Sequence, residues 1–156
     1  MFYHLPPVGN LVQLRPRVQD SDVLARLFSP YTPRFLDSGT AALAAAIVAA
    51  TRLKDTESPE VILPAYGCPD LVSAVLHAGA RPVLADLEPE RPWLDPASVA
   101  EKTSQHTVAI VAVSLFGIPE RMTVLRQLAE QAGALLIEDS AQAFSCDTST
   151  DRWQGD

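Results

Sequence analysis

At 156 residues and 47% hydrophobic content, the chain suits one domain, and a domain of that size buries about 70% of its unfolded surface without needing staples. The formal net charge of -7 argues against a nucleic-acid partner, because no basic stripe exists to meet phosphates. It leaves room for a small anionic ligand held by local backbone dipoles. Two cysteines, Cys68 and Cys146, give neither a disulfide framework nor a four-ligand zinc spacing. The opening "MFYHLPPVGN" lacks the basic and apolar regions of a signal peptide. The longest apolar run, "AALAAAIVAA", is too short and alanine-rich to span a bilayer. A soluble, cytoplasmic protein without a membrane partner is expected.

The first thirty-odd residues are punctuated by proline, with a short helix expected over 21–29. "SGTAALAAAIVAATRL" (38–53) reads as a strong Ala-rich helix introduced by Ser38 and Gly39. "VILP" (61–64) is a short strand, and "PDLVSAVLHAG" (69–79) a helix that begins with proline and stops at glycine. "RPVLAD" (81–86) is a strand; "DPASVAEKTS" (95–104) is a helix with Asp95 as cap and Pro96 in its first turn. "TVAIVAVSLFG" (107–117) reads as a strand with a nearly continuous apolar core. "PERMTVLRQLAEQAG" (119–133) sets Met122, Leu125, Leu128, Ala129 and Ala132 on one helical face. "ALLIED" (134–139) is the last clear strand, and a polar tail follows. Strand and helix alternate about four times, and the strands are apolar throughout, as strands covered on both faces are. The fold class is therefore α/β: a mainly parallel sheet with helices on both faces.

Three stretches carry chemistry. In "DSGTAAL" (37–43) a helix start offers free N–H groups and a positive dipole end to an anion. Gly39 permits close approach and Thr40 adds a hydroxyl; the plainer alternative is that Ser38 merely caps the helix. In "LPAYGCPDL" (63–71) Tyr66, Gly67 and Cys68 form a strand-to-helix turn on the ligand edge of the sheet. Tyr66 is either a stacking ring or a half-buried turn residue. In "LLIEDSAQAFS" (135–145) Asp139 ends an apolar strand, where it can hold a protonated heteroaromatic nitrogen or simply cap a turn at "SAQA". Gln142 lies three residues on, within reach of a ligand oxygen. Glu138 falls on the other side of its strand and is assigned to structure. His4, His77 and His106 have no ligand spacing. "GxSxG", "GxxxxGK[ST]" and "GxGxxG" are all absent, so a hydrolase elbow, a P-loop and a dinucleotide-binding turn lack support.

Taken in order, "SGTAAL", "VILPAYGCPDLVSAVLHAGARPVLADLEPE", "TVAIVAVSLFG" and "LAEQAGALLIEDSAQAFS" resemble the DegT/DnrJ/EryC1/StrS family of pyridoxal-phosphate-dependent aminotransferases, which includes many sugar aminotransferases. The match spans roughly 35 to 156. The resemblance implies the large cofactor domain of a fold-type I transferase, incomplete here, with 1–34 as an N-terminal segment and the C-terminal small domain absent. It implies a homodimer when full length, and transfer of an amino group from a donor such as glutamate to a nucleotide-linked keto-sugar. Residue by residue, Gly39 and Thr40 match the cradle of the cofactor phosphate, Asp139 the partner of the pyridine nitrogen, and Gln142 the glutamine near the phenolic oxygen. Cys68 stands where the family commonly has an aromatic ring on the cofactor, and whether Tyr66 compensates is left open. Ser114 stands where many members have a histidine.

Such chemistry needs a lysine to form the Schiff base. Lys54 and Lys102 are the lysines of this chain, and neither stands in the family's lysine motif, which follows a segment resembling the terminal "WQGD". The expectation is a partial chain with no catalytic residue of its own, inactive alone. The alternatives are a sugar dehydratase of the same family and a non-catalytic binding module that kept the fold.

Overall fold

The computed structural model describes residues 28–29, 31–143 and 155–156. The helix expected over 21–29 lies outside them except for its last two residues; His4, Cys146 and all of the polar tail but its final pair also lie outside. The chain divides into two units, Met1–Pro33 and Arg34–Asp156. Of the first, the described residues show a turn in which the Tyr31 N–H donates to the Phe28 carbonyl at 2.7 Å. All that follows concerns the second.

Four parallel strands run in the order β2-β1-β3-β4, with β1 at Glu60–Pro64, β2 at Arg81–Ala85, β3 at Thr107–Val113 and β4 at Leu135–Asp139. The helix α1 at Gly39–Leu53 precedes β1; parallel neighbours need crossovers, and α2 at Asp70–His77, α3 at Pro96–Lys102 and α4 at Met122–Ala132 supply them. Successive side chains of a strand point to opposite faces, and the core divides accordingly. Val61, Leu63, Ala109 and Val111 pack with Ile47 of α1 and with Ala74 and Val75 of α2. Ile62, Ile110 and Ala112 pack on the other face with Val99 of α3 and with Leu125 and Ala129 of α4. The central strands β1 and β3 are buried throughout, which is why they read as unbroken apolar runs. The edge strand β2 departs from that expectation: Arg81 and Leu84 are exposed, because only one neighbour covers it.

The helix ends follow local chemistry. Ser38 Oγ accepts from the Ala41 N–H at 3.1 Å, and Asp95 Oδ1 from the Ala97 N–H at 2.9 Å. Such a cap contributes about 1 kcal/mol. Gly133 closes α4 in the left-handed conformation, φ 59, which glycine adopts without a Cβ penalty.

Two boundaries differ from the sequence reading by more than two residues. The strand expected over 107–117 ends at Val113; Leu115–Gly117 forms a 3₁₀ turn in which Phe116 (φ 57) and Gly117 (φ 77) are both left-handed. The helix expected from Pro119 begins at Met122, because Glu120 is buried and committed elsewhere. Its carboxylate accepts from the N–H groups of Leu94 (2.8 Å) and Arg121 (2.7 Å).

The amino end of the sheet is closed by internal partners. Lys54 Nζ donates to the Thr107 and Ala132 carbonyls, each at 2.7 Å. Buried Glu60 pairs with Arg81 and accepts from Ser104 Oγ at 2.7 Å. Thr56 Oγ1 lies 2.8 Å from His106 Nδ1. On β4, the Leu136 carbonyl accepts from the Asp156 N–H and the Leu136 N–H donates to the Asp156 carboxylate, both at 2.8 Å.

Candidate functional site

Parallel strands deliver their carboxyl ends, and the loops that follow, to one edge of the sheet. Here a cavity of about 440 Å³ opens at that edge. Ser38, Gly39 and Thr40 line it from the start of α1; Cys68, Asp70 and Leu71 line it from the loop after β1 and the start of α2. Val113 and Leu115 contribute from the end of β3, and Asp139, Ala141 and Gln142 from the end of β4. Five of the residues singled out in the sequence, Gly39, Thr40, Cys68, Asp139 and Gln142, therefore share one cavity.

The α1 end presents backbone donors. Ser38 Oγ takes the Ala41 N–H and the Ser38 carbonyl takes that of Ala42 at 3.0 Å. The N–H groups of Gly39 and Thr40 have no intrahelical acceptor, as in any first turn. Ser38 is thus the cap that its plainer reading made it, and the cap leaves two donors of the helix end unused by the helix.

Asp139 has a structural duty as well. Its Oδ1 accepts from the Ala141 N–H at 3.1 Å, a short side-chain-to-backbone turn, and its carbonyl accepts from the Ser114 N–H at 3.0 Å. These two bonds fix where the carboxylate sits. Glu138 points elsewhere: it accepts from Ser140 Oγ (2.7 Å) and the Gly155 N–H (3.2 Å). Gln142 Oε1 accepts from the Phe116 N–H at 2.6 Å, which leaves the amide nitrogen as its donor. The same bond ties the left-handed turn after β3 to the loop after β4.

Two singled-out residues stand apart from the lining. Tyr66 is 61% exposed, with its ring 6.3 Å from that of Phe116. Ser114 is buried and contributes through its backbone, its N–H donating to the Asp139 carbonyl and its carbonyl accepting from the Gly117 N–H at 3.3 Å. Cys68 is exposed and its thiol is free. Sequence reasoning missed Asp70, whose Oδ2 lies 3.4 Å from the Thr40 hydroxyl. It also missed the turn at Phe116. The signal for Asp70 was present: an acid directly after Pro69, where a strand-to-helix loop meets the ligand edge. Among the described residues the lining carries two carboxylates, Asp70 and Asp139, and no lysine, arginine or histidine.

Lys54 is at the far side of the sheet. It is bonded at Thr107, the first residue of β3, six positions before Val113, or roughly 20 Å at ~3.3 Å per residue. Lys102 lies in α3 and pairs with Glu101 at 3.2 Å. Among the described residues no group of three or more His, Cys, Asp or Glu could hold a metal ion, and no helix is long and apolar enough to cross a membrane.

The sequence profile of the DegT/DnrJ/EryC1/StrS aminotransferase family matches residues 35–155. The chain is 40% identical over 88 residues to an L-glutamine:2-deoxy-scyllo-inosose aminotransferase of Streptomyces paromomycinus, covering 56% of this chain and 21% of that protein. It is 34% identical over 109 residues to a GDP-perosamine synthase of Vibrio cholerae, covering 70% and 29%. Among solved structures it resembles Bacillus subtilis NtdA with bound cofactor PMP, with a TM-score of 0.57 and 29% identity, over 65% of this chain and 24% of that one. The chain thus spans between a fifth and a third of the length of these curated relatives. A parallel sheet with helices on both faces, a shared cavity at its carboxyl edge and a profile match over most of the sequence lead to one conclusion: the chain belongs to the DegT/DnrJ/EryC1/StrS aminotransferase family.

Proposed function

We propose that residues 35–156 form part of the cofactor domain of a pyridoxal-phosphate-dependent aminotransferase. The whole protein would move an amino group from an amino acid such as glutamate to a keto-sugar, including nucleotide-linked ones. The observation that carries this reading is the lining of one cavity by both the α1 N-terminus and Asp139. Its volume of about 440 Å³ falls in the usual range for small-molecule sites.

The residues present fit the cofactor. Among the described residues nothing requires glycine at position 39: a Cβ there would meet no atom within 4 Å. A ligand seated against the helix end supplies the reason for leaving that space open. The N–H groups of Gly39 and Thr40, with the Thr40 hydroxyl, would hold the phosphate. Asp139, fixed by Ala141 and Ser114, would keep the ring nitrogen protonated, because a neighbouring anion favours the charged form. The Gln142 amide would donate to the ring oxygen. Cys68 would lie beside the ring, with Tyr66 at the rim. Bound there, the cofactor supplies an electron sink for the amino-group carbon.

The two lysines of this chain are engaged far from the cavity or on a surface helix, so residues 1–156 alone bind the cofactor without turning over. The full-length protein would act as a cytoplasmic homodimer. A second reading, a non-catalytic module that kept the site, draws on Cys68 in place of an aromatic ring.

Equilibrium dialysis of the 156-residue chain against pyridoxal phosphate tests the proposal. Saturable binding is expected, weakened about tenfold or more by Asp139→Ala, since a hydrogen bond to a charged group contributes roughly 1.5–3 kcal/mol. With an amino donor added, turnover should stay at the free-cofactor background. Unaltered binding by Asp139→Ala would remove the carboxylate from its assigned role.

A further inference from the structure

We propose that Asp70 limits the affinity of the cavity for phosphate-bearing ligands, by holding a negative charge beside the donors that a phosphate would use. The inference rests on the cofactor reading above and adds a residue that reading does not employ.

The charge count motivates it. Asp139 answers the one cation of the ring. Asp70 then has no cationic counterpart among the described residues, none of which brings a basic side chain to the cavity lining. Its position makes that surplus matter: Asp70 Oδ2 lies 3.4 Å from Thr40 Oγ1, so the carboxylate stands next to the α1 end. A phosphate placed on the Gly39 and Thr40 amides meets this charge at short range, and like charges there repel with little intervening protein. The hydroxyl contact is itself long, against about 2.7–2.8 Å for a strong O–H···O bond. Thr40 can therefore turn its proton to a phosphate at little loss, while the repulsion stays.

A purely structural role for Asp70 is the competing account. It is an acid in the first turn of α2, where Pro69 provides no side-chain cap, and acids are favourable at helix starts. That role moves stability and is blind to the charge of the ligand. Repulsion discriminates between ligands with and without a phosphate.

The experiment measures binding of pyridoxal phosphate, pyridoxal and inorganic phosphate to the wild-type chain and to Asp70→Asn, at low and high salt. Asp70→Ser serves as a second variant, retaining a helix-start oxygen without the charge. Both variants should bind pyridoxal phosphate roughly tenfold more tightly at low salt, with the gain shrinking as salt screens the site. Inorganic phosphate should gain alike, and pyridoxal should change less than twofold. Equal affinities of wild type and both variants for the phosphate-bearing ligands would overturn the inference, as would a gain shared by pyridoxal. If the variants gain inorganic phosphate while no protein binds pyridoxal phosphate, the cofactor reading falls and the role of Asp70 stands. If none of the proteins binds either phosphate-bearing ligand, both fall.

Discussion

The two ends of the sheet are built from the same four strands and treat polar groups in opposite ways. At the amino end, Lys54, Glu60, Thr56, Ser104 and His106 turn toward one another or toward backbone carbonyls. At the carboxyl end, Gly39, Thr40, Asp70, Asp139 and Gln142 face a cavity, and Phe116 holds a left-handed backbone. A polar group matched wholly inside the protein is a fastener; one that lines open space as well, as Asp139 and Gln142 do beyond their bonds to Ala141 and Phe116, is offered to something else. The closed end gives the open end its geometry, because the same strands run through both.

The contrast can be broken or sharpened by substitution. The largest effect is expected from Lys54→Ala, which removes two charge-assisted bonds joining the end of α1 to β3 and α4. A loss of about 3 kcal/mol in urea unfolding follows from the usual strength of such bonds, with pyridoxal phosphate binding by the folded fraction unchanged. A matching loss of cofactor affinity would mean that the two ends are not separable.

Glu60→Gln comes next. Burial pushes the Glu60 carboxyl up, but the Ser104 hydroxyl and the Arg81 guanidinium outweigh that and hold it below its ordinary value of 4.5. A depressed carboxyl contributes stability that is present above the unfolded value and is lost as pH falls through the folded one. Stability should therefore decline from about pH 4.5 downward, and Gln should flatten that decline while costing about 2 kcal/mol at neutral pH. Glu120 works in the opposite sense, since burial raises its carboxyl despite the Arg121 and Leu94 amides; its contribution grows as pH falls. An acid limb unchanged by Glu60→Gln would place the sensitivity elsewhere.

The smallest effect belongs to the open end. Phe116 is 68% exposed and sits at φ 57, a conformation that costs a non-glycine residue about 1 kcal/mol or more. Phe116→Gly should leave thermal stability unchanged or raise it by up to about 1 kcal/mol. Marked destabilisation would show that the ring contact with Tyr66 holds the turn.

Much of the frame is legible from local chemistry. Ser38, Asp95 and Gly133 mark helix ends by mechanisms that involve only near neighbours. The unbroken runs of β1 and β3 announce strands covered on both sides. What escaped was decided at a distance. "SLFG" sets Leu115 and Phe116 directly after an apolar strand, and its turn depends on Gln142, 26 positions away. The late start of α4 depends on Leu94 recruiting Glu120 over the same separation. Gathering Gly39, Thr40, Cys68, Asp139 and Gln142 at one edge follows from the parallel order of strands, which repeated strand–helix alternation implies. The partnership of Asp70 with Thr40 does not follow, because it requires two helix starts to be adjacent.

The clamp on Leu136 has a consequence for how the molecule meets its neighbours in solution. A bare outer strand is a template on which foreign chains can polymerise. Here the backbone of Asp156 engages the Leu136 carbonyl, and its carboxylate, also held by Arg126 at 2.5 Å, engages the Leu136 amide. The centre of β4 is thereby covered by the chain's own residues, and half of that cover is ionic. Strong acid, by neutralising the carboxylate, would release the Leu136 amide and leave the backbone bond to its carbonyl as the remaining guard on that strand.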